Sequence, residues 1–128
     1  MQARWVDQAG PEGVLHHRAG HVPRWDLRIA RSWPVAPHPS RRRYARQIRQ
    51  DVWRAARGQR GFVPMVLVSW REGELTVLAG GTLRAGGAAG ITQTIAAVLD
   101  DPANRRRWDA HAAQRPKRRM GDPCSKRS

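Results

Sequence analysis

The chain reads as an α+β protein: a helix, an antiparallel β-hairpin or three-stranded meander, then one or two helices. A disordered arm is expected before this unit and a basic tail after it. Three observations predict that class. Residues 41–57 place Tyr44, Ala45, Ile48, Val52, Ala55 and Ala56 at the helical period. Residues 62–70 and 75–79 are runs of β-branched and large apolar residues separated by a short polar turn. Ile91, Ile95, Val98 and Leu99 then repeat at i, i+4, i+7 and i+8. Helices covering one face of a small meander follow from that order.

Residues 1–40 are predicted to be a poorly structured arm. Gly10-Pro11, Gly13, Gly20 and Pro23 interrupt it, and Pro34, Pro37 and Pro39 block helix near its end. Trp5, Trp25 and Trp33 lie there without sustained periodicity, although residues 25–30 have the composition of one short strand. Residues 41–113 form the expected small domain. Ser40 is the predicted N-cap of its first helix, because a hydroxyl there accepts from a free first-turn amide. Gly58 is the predicted left-handed stop.

The strand over 62–70 contains Pro64, which lacks a ladder donor and so belongs at a strand start or an edge. Arg71-Glu72-Gly73-Glu74 is the predicted hairpin turn. Gly80-Gly81 is expected to break the returning strand, with residues 82–85 as a short third strand. The glycine-rich stretch 86–90 leads into the second helix, and Asp101-Pro102 is an N-cap and first-turn pair opening a third. Residues 114–128 read as a solvated basic tail.

Charge is segregated along the chain. The formal net charge is +14. Residues 41–60 hold eight arginines and one acid, Asp51; residues 105–128 hold nine basic residues and two acids. The intervening residues 61–104 hold two arginines against four acids. Two basic poles around a slightly acidic, apolar centre suit a polyanion-binding module. The lone Cys124 provides no disulfide framework, and the longest apolar run, residues 62–68, is far too short to span a bilayer. A soluble, cytoplasmic protein without membrane contact is the expectation. A core drawn from about 70 residues is marginal by itself, so dimerisation or partner binding would help to stabilise it.

The candidate nucleic-acid-binding residues are Arg42, Arg43, Arg46, Arg49, Arg54 and Arg57 on the first helix, with Trp53 beside them, and Arg105 and Arg106 on the third. Guanidiniums one helical turn apart can follow a phosphate backbone, and Trp53 and Tyr44 can stack on exposed bases. The bland reading of the same residues is a solvated helix face, with Trp53 and Trp108 anchoring the core. The competing function is a protein-interaction or assembly module whose arginines meet an acidic partner protein.

Other motifs carry less. His16, His17 and His21, with Asp26, lack the spacing of a metal centre. The glycines at 80–81 and 86–90 are followed by no P-loop Lys-Ser/Thr and fit no dinucleotide fingerprint. No serine has a histidine at a meaningful place, and Cys124 sits in the tail. No enzyme activity, metal or cofactor is expected.

The predicted order of elements over residues 41–100 is similar to that of the double-stranded-RNA-binding domain. The helix containing Ile95 to Leu99 takes the place of that family's second helix. The chain departs from the family where it grips RNA. Ala88-Ala89-Gly90-Ile91 stands where the family carries lysines, and Arg71-Glu72-Gly73-Glu74 replaces its histidine-bearing loop. The resemblance therefore implies a topology and no binding residues.

Overall fold

A computed structural model describes residues 4–84 and 89–113. Eight elements follow in order: β1 (Trp5–Gly10), β2 (Gly13–Arg18), β3 (Leu27–Pro34), α1 (Arg41–Ala55), β4 (Phe62–Arg71), β5 (Glu74–Leu83), α2 (Ala89–Asp100) and α3 (Pro102–Ala112). The class is α+β, as expected, but strands come first. The five strands form one antiparallel sheet in the order β1-β2-β4-β5-β3. Since β3 and β4 both run antiparallel to β5, they are parallel to each other, and α1 is the crossover between them.

Three helices on one face complete a two-layer unit. α1 lies on β2 and β4, α2 on β3 and β5, and α3 packs against both helices. Period-two alternation sends Val14, Ile29, Trp33, Val66, Val68, Leu75, Val77 and Ala79 into the core. There they meet Tyr44, Ile48 and Val52 of α1, Ile91, Ile95 and Leu99 of α2, and Trp108 of α3. No helix among the described residues is long and apolar enough to cross a membrane.

Several expectations are corrected. The residues expected to form a disordered arm contain β1, β2 and β3, so the sheet has five strands rather than two or three. The α-β-β-α topology similar to the double-stranded-RNA-binding domain is lost with them, because β3 pairs with β5 and two strands flank β4. Their signals are weak for a physical reason: β1 and β3 are edge strands, and β2 turns His16 rather than an aliphatic residue toward α1.

Gly80-Gly81 does not break β5, which runs on to Leu83. A Cβ at Gly80 would lie 2.0 Å from the Leu27 carbonyl oxygen, so the pair permits close approach of β3 and β4. Gly58 is not left-handed; α1 caps at Ala56, with φ of −99°. Pro64 sits inside central β4, but beyond the β2 ladder, which pairs Val14–His16 with Val66–Val68. Its missing donor therefore costs that ladder nothing.

Other local expectations hold. Ser40 caps α1 by accepting from the Arg43 amide at 3.3 Å. Asp101 caps α3 with Pro102 in its first turn. Glu72 and Gly73, at φ of 54° and 85°, make the two-residue turn that right-twisted strands require. The basic tail, residues 114–128, and the glycine-rich stretch 85–88 lie outside the described residues.

Candidate nucleic-acid interface

At 3.6 residues per turn, Arg42, Arg46, Arg49 and Trp53 share one side of α1, at i, i+4, i+7 and i+11. Arg57 continues that line at i+15, in the turn beyond the helix. Arg43, Gln47 and Arg54 lie on the side toward α3. The single basic face read from sequence is thus two rows. One borders the β1–β2 hairpin and the other borders α3.

The α3-side row is partly neutralised. Asp51, the one acid among the eight arginines of residues 41–60, is buried. Its Oδ2 accepts from Trp108 Nε1 and from Arg107 Nη2, both at 2.7 Å, and its Oδ1 accepts from Arg54 Nη1 at 3.3 Å. Burying an indole N–H demands an acceptor, and the carboxylate provides it while drawing two guanidiniums to itself. Arg54 is therefore held at one edge of the arginine-bearing surface. Between the helices, Arg43, Arg46, Gln47 and His111 line a shallow cleft of about 250 Å³.

The hairpin-side row joins a second array. Asp7 of β1 and His16 of β2 are cross-strand partners, and His16 Nδ1 lies 2.7 Å from Asp7 Oδ1. Arg49 Nε donates to His16 Nε2 at 3.2 Å, which requires a neutral imidazole with its proton on Nδ1. The Trp5 ring stacks on His16 at 5.6 Å between centroids, and the Arg49 guanidinium lies 4.3 Å from the Trp5 centroid. Burial pushes the His16 pKa below its ordinary value; Asp7 opposes that shift, and Arg49 and Arg46 add to it. Burial, then the neighbouring Arg46, lowers that of Arg49.

Six arginines of this block, Arg41, Arg42, Arg43, Arg46, Arg57 and Arg60, have no carboxylate within ion-pair distance among the described residues. All six are exposed. Elsewhere Asp26 pairs with Arg24 and Asp100 with Arg31 and Arg105, whereas Glu12, Glu72, Glu74 and Asp109 form no ion pair among the described residues. Trp53 is 44 % exposed, whereas Tyr44 is fully buried and presents no face for stacking.

The α3 candidates separate. Arg106 is exposed. Arg105 lies 4.2 Å from the Trp33 centroid and donates to the Leu99 carbonyl at 2.7 Å, so it braces β3 and α2. Trp108 is a core anchor. His16 and His17 point to opposite sheet faces, and no three His, Cys, Asp or Glu side chains converge among the described residues.

Sequence reasoning named Trp5 and His16 without joining them to Arg49, and missed Asp7. Their signal was present: two six-residue stretches flank Gly10-Pro11-Glu12-Gly13, which is hairpin punctuation. Comparison with known proteins returns no matching family, no matching curated protein and no matching solved structure.

Proposed function

We propose that the protein binds nucleic acid through phosphate contacts made from α1, with little sequence specificity. One observation carries the reading: of the eleven exposed arginines without a carboxylate partner among the described residues, six, Arg41, Arg42, Arg43, Arg46, Arg57 and Arg60, lie on α1 or in the turn after it. Free guanidiniums in a row are costly to assemble unless a polyanion neutralises them. The basic residues of 114–128 serve as an auxiliary arm. The reading leaves no role for a metal or cofactor.

Titration of labelled DNA and RNA against the full chain at about 50 and 200 mM salt tests it. With roughly four phosphates neutralised, affinity falls about 10²-fold between the two. Changing Arg42 and Arg46 together to glutamate abolishes retention. Arg54 is the poorer reporter, because Asp51 already engages it. Absence of binding at low salt, or binding indifferent to salt, refutes the proposal.

A second reading, assembly with protein, draws on the sheet face away from the helices. Cross-strand pairing sets Leu15, Leu67 and Leu78 side by side there, all partly exposed. Self-association through this face makes the protein a dimer in sedimentation and makes Leu67→Lys monomeric. A wild-type monomer refutes self-association.

A further inference from the structure

We infer that the α1 surface takes a single strand in preference to a duplex, with Trp53 as the platform for one unstacked base; this rests on the nucleic-acid reading above. Trp53 and Val22 are the exposed large apolar side chains among the described residues. Trp53 is set into the arginine row: Arg49 precedes it by four residues on the helix, the spacing of helix-surface neighbours, and Arg57 follows in the turn beyond the helix end. An indole face open to solvent between guanidiniums matches the chemistry that holds single strands, in which aromatic rings stack on bases and cations track phosphates. In a duplex the base faces are already covered by their neighbours.

The surroundings of α1 point the same way. A lone helix of about 10–12 Å diameter fills a major groove about 12 Å wide. α1 is not alone. α3 packs along one side, tied to the start of α1 through the Ser40 amide, which donates to the Ala112 carbonyl at 2.8 Å. The β1–β2 hairpin reaches the other side through Trp5 and His16, which contact Arg49. With neighbours on both sides, α1 presents a surface along which a strand lies. Trp5 is partly exposed and extends that surface beyond Arg49.

An anionic bilayer also attracts arginines. Insertion needs an apolar helix face, however, and that of α1 is spent on the core: Tyr44, Ala45, Ile48 and Val52 are fully buried. One indole remains to insert.

The test uses the full chain, a labelled homopyrimidine strand of about a dozen nucleotides, and the same strand annealed to its complement, at about 50 mM salt. The strand binds several-fold more tightly than the duplex. Trp53→Leu weakens strand binding roughly tenfold and leaves duplex binding within about twofold, whereas Trp53→Phe, which keeps a π face, retains most of the affinity. Thermal melting confirms that both variants fold. Equal binding of strand and duplex overturns the inference and leaves the nucleic-acid reading standing, as does a Trp53→Leu variant that binds both like wild type. Binding of neither removes both proposals, and so does binding only to vesicles containing one quarter phosphatidylglycerol.

Discussion

Asp51 shows how one side chain redistributes the charge of a whole helix. Its oxygens satisfy the buried Trp108 indole and engage Arg54 and Arg107. The two arginines stay well exposed, so the carboxylate's main stabilising role is toward the indole. Asp51→Asn keeps an acceptor for Trp108 and costs about 1 kcal/mol. Asp51→Ala leaves the buried N–H without its partner and costs about 3 kcal/mol, while Arg107→Ala costs less than about 1 kcal/mol. Urea denaturation of the three variants checks that ranking; equal losses for Asp51→Asn and Asp51→Ala contradict it.

His16 gives the residue scale a pH dependence. Its folded pKa lies below the ordinary 6.5, because burial disfavours the imidazolium. In the unfolded chain it takes up a proton near 6.5, so between the two values the unfolded state binds more protons. Stability is then complete above about pH 6.5 and is lost as pH falls through the folded value. Protonation also puts a second N–H opposite the Arg49 donor, beside Arg46 and with Asp7 as the one facing carboxylate. The slope is bounded by one proton, about 1.4 kcal/mol per pH unit. Thermal melts from pH 7.5 to pH 5 show a falling midpoint, and His16→Gln flattens the profile. A wild-type profile already flat in that range rules out a neutral buried imidazole.

Among the elements, α1 was legible because a long amphipathic helix carries many concordant signals: Ser40 at its cap, five buried positions at the right period, and polar residues opposite. Of the first three strands only β3 left a trace, as the short strand expected over residues 25–30; β1 and β2 did not, since an edge strand such as β1 needs few apolar residues, His16 takes an inward position of β2, and the glycines and prolines between the strands resemble linker composition. Glycine misled twice in the same way. As a left-handed stop Gly58 fails: α1 caps two residues earlier at Ala56, a Cβ at Gly58 meets nothing within 4 Å, and its φ is not positive. As a strand break Gly80 fails: β5 runs on to Leu83, and a Cβ at Gly80 would meet the Leu27 carbonyl of β3 while one at Gly81 would meet the Val63 carbonyl of β4. Gly80→Ala therefore forces β3 away from β5 and costs about 3 kcal/mol or more. Gly58→Ala stabilises by about 0.5 kcal/mol by reducing the entropy of the unfolded chain. Chemical denaturation of the pair separates the two uses of glycine; a tolerated Gly80→Ala is incompatible with the strand spacing.

For the whole molecule, charge works against the fold. A net charge of +14 on 128 residues repels itself, and the crowding is local: burial chiefly lowers the pKa values of Arg49 and His16, and Arg46 adds to both shifts. Exposed arginines without acid partners contribute little to stability, and reversing one removes repulsion and adds attraction to its neighbours. Arg46→Glu consequently raises the midpoint of thermal unfolding by a degree or two at about 20 mM salt, equivalent to roughly 0.5 kcal/mol. The gain disappears at about 300 mM salt, where the screening length is shorter than the arginine row. On the proposed function the same substitution also weakens nucleic-acid binding. A variant that is more stable and less active locates the cost of this surface in its function, because proteins tolerate destabilising charge where a ligand will neutralise it. A midpoint that drops by several degrees instead reveals that Arg46 holds the fold together, and then the unpaired row can no longer be read as kept free for a polyanion.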